Sequence, residues 1–103
     1  DFGKAIADGV FAMTKNRELP KEEQLRDSLI RILEQPKEIA MVKLGDRISS
    51  MLPPPPEWSI EKIETVTGNA GMILQMLGEA SPFLQKRLEK KINFYKSVMG
   101  KRE

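Results

Sequence analysis

Apolar residues recur along the chain at steps of three and four, the spacing of one face of an α-helix. One such stripe falls in residues 2–14, and others follow in residues 20–35, 36–51, 59–78 and 81–100. Prolines, glycines or polar residues separate the stripes, and no stretch shows the strict alternation typical of a strand. We therefore predict an all-α fold of about five helices, forming a single helical domain over residues 1–103.

Proline, serine and glycine mark the expected helix ends. Pro20 and Pro36 stand where a first-turn proline would stabilise the start of a helix. Ser59 and Ser81 are expected N-cap residues, because a serine hydroxyl can accept a hydrogen bond from an N–H group of the first turn. Gly100 is expected to end the last helix.

Two short motifs allow both a structural and a functional interpretation. The four prolines at residues 53–56 favour a stiff connection between helices, although a polyproline segment can also bind an aromatic groove. Gly68 and Gly71 have the GxxG spacing of the RNA-clamping loop of KH domains, but they lie in a helical stripe without a strand context. We expect them to allow close helix packing instead.

The composition excludes several kinds of catalytic site. The chain has no His and no Cys, so it offers no imidazole base, no thiolate nucleophile and no zinc site built from those residues. Its 17 Lys and Arg and 15 Asp and Glu give a net charge of +2, too small an excess to indicate nucleic-acid binding. No apolar run is long enough to span a membrane. We expect a cytoplasmic protein that binds neither nucleic acid nor membrane.

The residues best suited to bind a metal or a ligand lie in the segment 36–51. Lys43, Asp46, Arg47 and Ser50 follow the i, i+3, i+4, i+7 pattern and therefore share one face of an otherwise apolar helix. This face could be exposed to solvent, with Lys43 and Asp46 as a surface ion pair. Alternatively, Asp46 could be a metal ligand or a phosphate-site carboxylate beside the two cations.

Other basic residues have a simpler interpretation. The last predicted helix carries four cations opposite its apolar stripe, at Lys86, Arg87, Lys90 and Lys91. They indicate a solvated face, with binding of an anionic partner as the alternative. Lys15 and Lys21 flank the first connection between helices. They could meet a phosphate, but on sequence alone they are ordinary loop lysines.

Residues 41–47, Met-Val-Lys-Leu-Gly-Asp-Arg, resemble the closing V-K-L-A-D-R signature of the HD-domain metal-dependent phosphohydrolases. Other positions are similar to one branch of that superfamily, the (p)ppGpp hydrolases of the stringent response. These are Phe-Gly at 2–3 with Thr-Lys at 14–15, and Leu-Pro-Lys at 19–21. Trp58 and the two helices after it also fit that pattern.

The resemblance implies a metal-binding hydrolase site of which only part is present. In that family a histidine, an adjacent His-Asp pair and a distant final Asp hold the metal, and only the final Asp has a counterpart here, at Asp46. A complete domain would use a divalent metal, most often Mn²⁺, to activate water for attack on the 3′-pyrophosphate of a guanosine alarmone. Lys21 would bind a substrate phosphate, and Lys43 and Arg47 would support the site. Ser50 stands where the family places an asparagine that contacts the nucleotide.

These implications lead to a fragment hypothesis. The chain resembles the C-terminal half of an HD domain, and we expect it to be inactive alone and to bind no metal tightly. We also expect it to associate with itself or with a missing N-terminal half. The alternative is a non-catalytic helical module, derived from the same fold, with an interaction or regulatory role.

Overall fold

The computed structural model describes residues 15–102, so the helix predicted at residues 2–14 lies outside the described residues. The described residues form four α-helices, numbered here in chain order, and contain no strand. The helices are α1 (Lys21–Leu33), α2 (Lys37–Ser50), α3 (Ile60–Leu77) and α4 (Pro82–Arg102), with a 3₁₀ turn at Gly78–Ala80. The all-α prediction is confirmed, although this part of the chain has four helices rather than about five. None of the four is both long and apolar enough to cross a lipid bilayer.

The two serine caps form as predicted. The Ser59 hydroxyl accepts a hydrogen bond from the backbone N–H of Lys62 at 3.1 Å, and the Ser81 hydroxyl accepts one from Leu84 at 3.2 Å. Pro20 is not a first-turn residue, since it precedes the helix at the N-cap position and α1 begins at the next residue. Pro36 has the same position before α2.

The core lies where α4 packs along α2 and α3, while α1 packs against α3 and α2. Each helix contributes fully or almost fully buried apolar side chains. Burying a large aliphatic side chain contributes about 1.5–3 kcal/mol, so this core is the main source of stability. Its largest fully buried apolar members are Leu29, Ile32, Leu44, Met51, Ile63, Ile73, Leu77, Leu88 and Tyr95.

The proline-rich connection between α2 and α3 is anchored by side chains of α4. Prolines have no backbone N–H, so residues 53–56 offer carbonyl acceptors and no donors of their own. The Tyr95 hydroxyl donates to the carbonyl of Leu52. The Arg102 guanidinium donates to the carbonyls of Trp58 at 2.8 Å, Pro55 at 3.1 Å and Pro54 at 3.3 Å. Two side chains of α4 thus hold both ends of the connection.

The prediction that Gly100 ends the last helix is wrong, and the packing predicted at Gly68 and Gly71 is not formed by the described helices. α4 continues past Gly100 to Arg102, and none of the glycines in residues 15–102 has the positive φ of a C-terminal cap. The contacts of Arg102 with the connection explain why the last turn persists. Within the part of the chain that the structure describes, Gly68 and Gly71 do not mediate close packing, because a Cβ atom at either position would meet no described residue within 4 Å. Both border a cleft of about 680 Å³, so none of the four described helices packs closely against this side of α3.

Candidate functional site

The polar face predicted on α2 passes from the core to the surface. Lys43 is only 9% exposed, whereas Asp46 and Ser50 are exposed and Arg47 is half-buried. No ion pair joins Lys43 to Asp46, although both lie within the described range. The interpretation of this face as a solvated surface with a Lys43–Asp46 pair is therefore wrong for its first residue.

Lys43 lies in a net positive environment. Burial lowers the pKa of Lys43 below its usual value of 10.5, the charge of Arg47 lowers it further, Asp46 raises it, and Lys15 lowers it. Lys15 precedes α1 in the chain, so its influence shows that the start of the described chain lies near α2. Three cations and one carboxylate consequently share this region.

Hydrogen bonds hold the turn between Lys15 and Lys21 in place. The Asn16 side-chain oxygen accepts from the N–H of Glu18 at 3.0 Å, and the N–H of Leu19 donates to the Asn16 carbonyl at 3.2 Å. The Leu19 carbonyl in turn accepts from the side-chain amide of Gln24 on α1 at 3.1 Å. The turn is therefore fixed both within itself and to the first turns of α1, and it sets the positions of the two lysines.

Lys15 and Lys21 line the same cleft, between the start of α1 and the middle of α3. Its volume is about 560 Å³, within the range of small-molecule sites. The polar residues Thr65 and Asn69 of α3 also line it, with Asn69 half-buried. The Thr65 hydroxyl donates to the Glu61 carbonyl of its own helix at 3.1 Å, so the two ammonium groups and the Asn69 amide are the groups suited to a phosphorylated ligand.

Only part of this cleft is predictable from the sequence. Lys15 and Lys21 are candidates from the linker, but Gln24, Thr65 and Asn69 carried no recognised motif. The four-residue spacing of Thr65 and Asn69, which places both on one face of α3, is the single available signal. Their pairing with the lysines depends on how α3 packs against α1, which spacing along the chain does not encode.

The sequence-predicted residues fall into two neighbouring places. Lys21 lines the cleft, whereas Asp46, Arg47 and Ser50 are not among its lining residues. The Ser50 hydroxyl donates to the Arg47 carbonyl at 2.9 Å, one turn back along α2. Lys15 connects the two places, because it lines the cleft and also acts electrostatically on Lys43.

Asp46 cannot hold a metal with the described residues alone. Within residues 15–102 no three Asp or Glu side chains come close enough to form a cation site. The cations around Lys43 would also oppose a divalent ion next to Asp46. The ligand set of this part of the chain therefore does not fit a metal by itself, and we derive no metal-dependent step from it.

Comparison with known proteins gives no family assignment. No protein-family model matches the chain, and no curated protein matches it at a significant level. The functional interpretation thus depends on the geometry described above and on the motif at residues 41–47.

Proposed function

We propose that this chain is the C-terminal part of an HD-type (p)ppGpp pyrophosphohydrolase and supplies the phosphate-binding side of its active site. The observation that carries the proposal is the shared cleft of Lys15 and Lys21, which lie at opposite ends of a hydrogen-bonded turn. A pyrophosphate group brings several negative charges to a small volume, and two ammonium groups can offset that charge whichever way the phosphates are oriented. The buried, positive region around Lys43 extends the same field towards Asp46.

In this proposal the residues of α2 act at the metal side of the complete domain. Asp46 is exposed, so its carboxylate is accessible to a metal whose other ligands come from further protein. Lys43 and Arg47 would stabilise the anionic substrate through their positive charge, and Ser50 would lie at the nucleotide position.

The phosphate role of Lys21 can be tested against a matched lysine. Lys21 and Lys37 each follow a proline, begin a helix and are exposed, but only Lys21 lines the cleft. We expect Lys21→Ala to weaken binding of guanosine tetraphosphate about tenfold in isothermal titration calorimetry, as for loss of a charged hydrogen bond. Lys37→Ala should bind as the parent chain does. Equal effects of the two substitutions would refute the assignment.

The predicted incompleteness has its own test. The chain incubated with Mn²⁺ and guanosine tetraphosphate should release no pyrophosphate. Turnover by this chain, lost in Asp46→Ala, would show that the metal site is complete and that the fragment hypothesis is wrong. An upstream coding frame that supplies the family's histidine and adjacent His-Asp pair would support the hydrolase, and its absence would favour the non-catalytic helical module.

Self-association is expected under both functions. Large apolar side chains such as Leu33 and Val42 are more than half exposed, at 54% and 55%, and exposed apolar patches favour association. Light scattering at high protein concentration should show a mass above that of the monomer. A sharp monomer peak would contradict this expectation.

A further inference from the structure

The outward face of α4 combines aromatic and basic side chains. Phe83, Arg87, Lys90, Phe94 and Lys101 are separated by four, three, four and seven residues, which places them within about 40° of one line along the helix. All five are exposed, and the two phenylalanines remain 67% and 47% exposed. We call these five residues the α4 outer face.

The charge of this face is of one sign. Lys86 and Lys91 flank it, and Glu89, the only acidic residue in α4, lies about 100° or more away around the helix. The whole chain has a net charge of only +2. The cations on this face are therefore a local concentration and do not reflect a generally basic surface.

The phenylalanines of this face are not required by the core. The opposite side of α4 already buries Leu88, Ile92 and Tyr95, each at most 6% exposed. An Arg87 guanidinium lies over the Phe83 ring at 5.6 Å, and the Phe94 ring contacts Tyr95 edge-on at 6.5 Å. Two large rings thus stay in water on a helix face that also carries cations, an arrangement typical of a surface that meets a partially apolar partner.

We propose that the α4 outer face docks on the surface of a bilayer that contains anionic phospholipid. The lysines and Arg87 complement the lipid phosphates, and their long stems let the charged groups reach the headgroups. Phe83 and Phe94 enter the boundary between headgroups and acyl chains, as aromatic residues of interfacial helices do. The face runs for about 27 Å parallel to the bilayer, so all five side chains reach one plane.

Two features favour a bilayer over a nucleic acid as the partner. The two phenylalanines are 11 residues apart, about 16 Å along the helix, which is too far for the stacking of successive bases. Arg87 also lies over the Phe83 ring that a base would need. The proposal revises the expectation of no membrane contact, which considered only spanning segments, because an adsorbed helix needs no long apolar run.

The test is co-sedimentation of the 103-residue chain with phosphatidylcholine vesicles that contain about one third phosphatidylserine. Lys90→Glu and Lys96→Glu make the same charge change on two exposed residues of α4, but they lie about 120° apart around the helix. We expect Lys90→Glu to weaken binding about tenfold or more and Lys96→Glu to have a much smaller effect. Phe83→Ser should also weaken binding, whereas Leu33→Ser, which removes an exposed apolar residue of α1, should not.

Circular dichroism of each variant checks that the helices remain folded. Equal effects of the two Lys→Glu changes would mean unspecific charge attraction and would overturn the proposal. Binding to pure phosphatidylcholine as strong as to the anionic vesicles would also overturn it, as would no binding to either. A single-stranded oligonucleotide that binds through the same residues while vesicles do not would identify nucleic acid as the partner instead.

Discussion

Arg102 at the end of α4 should contribute measurably to stability, because it supplies donors to a connection whose four prolines have none, and in which only the Trp58 N–H donates within the proline turn, to Pro55 at 3.1 Å. Its guanidinium makes three hydrogen bonds, to the carbonyls of Trp58, Pro55 and Pro54 at 2.8–3.3 Å. Arg102→Met keeps most of the side-chain length but removes every donor. The prolines cannot rearrange to pair these carbonyls with their own backbone, because they have no N–H groups.

The size of the effect follows from the bonds and the ordering of the side chain. Each hydrogen bond in a half-buried setting contributes about 1 kcal/mol, so three contribute about 3 kcal/mol. Fixing an arginine side chain opposes this by about 1–2 kcal/mol. We therefore expect Arg102→Met to lower the free energy of unfolding by about 1–2 kcal/mol, which corresponds to about 5–15 °C in Tm for a domain of this size.

The assay has a built-in local probe. Trp58 is the only tryptophan of the chain, its carbonyl accepts from Arg102, and its ring lies 5.0 Å from the Lys62 ammonium. Urea denaturation followed by Trp58 fluorescence reports the connection, and circular dichroism at the same urea concentrations reports the helices. The matched control is Lys101→Met, which removes one charge from the same helix end and so cancels the helix-dipole effect. Equal unfolding free energies for the two variants would refute the reasoning.

Three further predictions concern single positions and can be measured by denaturation. Burial raises the pKa of Tyr95 above 10.0, so the unfolded chain loses this proton first and the free energy of unfolding should fall as pH rises beyond about 10. Tyr95→Phe should be about 1–2 kcal/mol less stable at pH 7 and should lose less stability at alkaline pH. An alkaline loss of stability equal to that of the parent chain would contradict this. Burial lowers the pKa of Lys43 in the folded chain, so the unfolded chain holds this proton to higher pH and the free energy of unfolding should rise with pH between the folded-state pKa and 10.5. Lys43→Met should remove that rise and be at least as stable as the parent chain at pH 7. A large destabilisation would show that the buried charge is needed. Gly71→Ala should stabilise by about 0.5–1 kcal/mol, since the new Cβ meets none of the described residues within 4 Å. Gly78→Ala should bring no such gain, because its Cβ comes 3.1 Å from the Gln85 amide nitrogen. Equal changes in stability for the two variants would argue against this view of α3.

The predictable part of the fold is the part set by neighbours in the chain. Ser59 and Ser81 cap their helices because the cap bond joins residues three apart, a distance that sequence determines. Gly100 was mispredicted because its role depends on residues more than 40 positions away: Arg102 contacts the carbonyls of Trp58 and Pro54, and these contacts keep the last turn helical.

In the candidate site too, the positions set by spacing along one helix are predictable, and the contacts between helices are not. The spacing of Lys43, Asp46, Arg47 and Ser50 correctly places them on successive turns of one helix. It did not show that Lys43 is buried while Asp46 is exposed, since burial depends on what packs against α2. Lys21 lies across the cleft from residues of α3, and this arrangement also comes from tertiary packing.

The anchoring of the proline-rich connection has a consequence for the order of folding during synthesis. Pro54 accepts a hydrogen bond from a residue 48 positions later in the chain, and Leu52 accepts one from a residue 43 positions later. While a ribosome is still making α4, these carbonyls have only water as a partner, so α2 and α3 cannot yet take a fixed relative orientation through this connection. We expect protease cleavage near residues 53–58 in nascent chains that end before Tyr95, and protection once Arg102 has emerged.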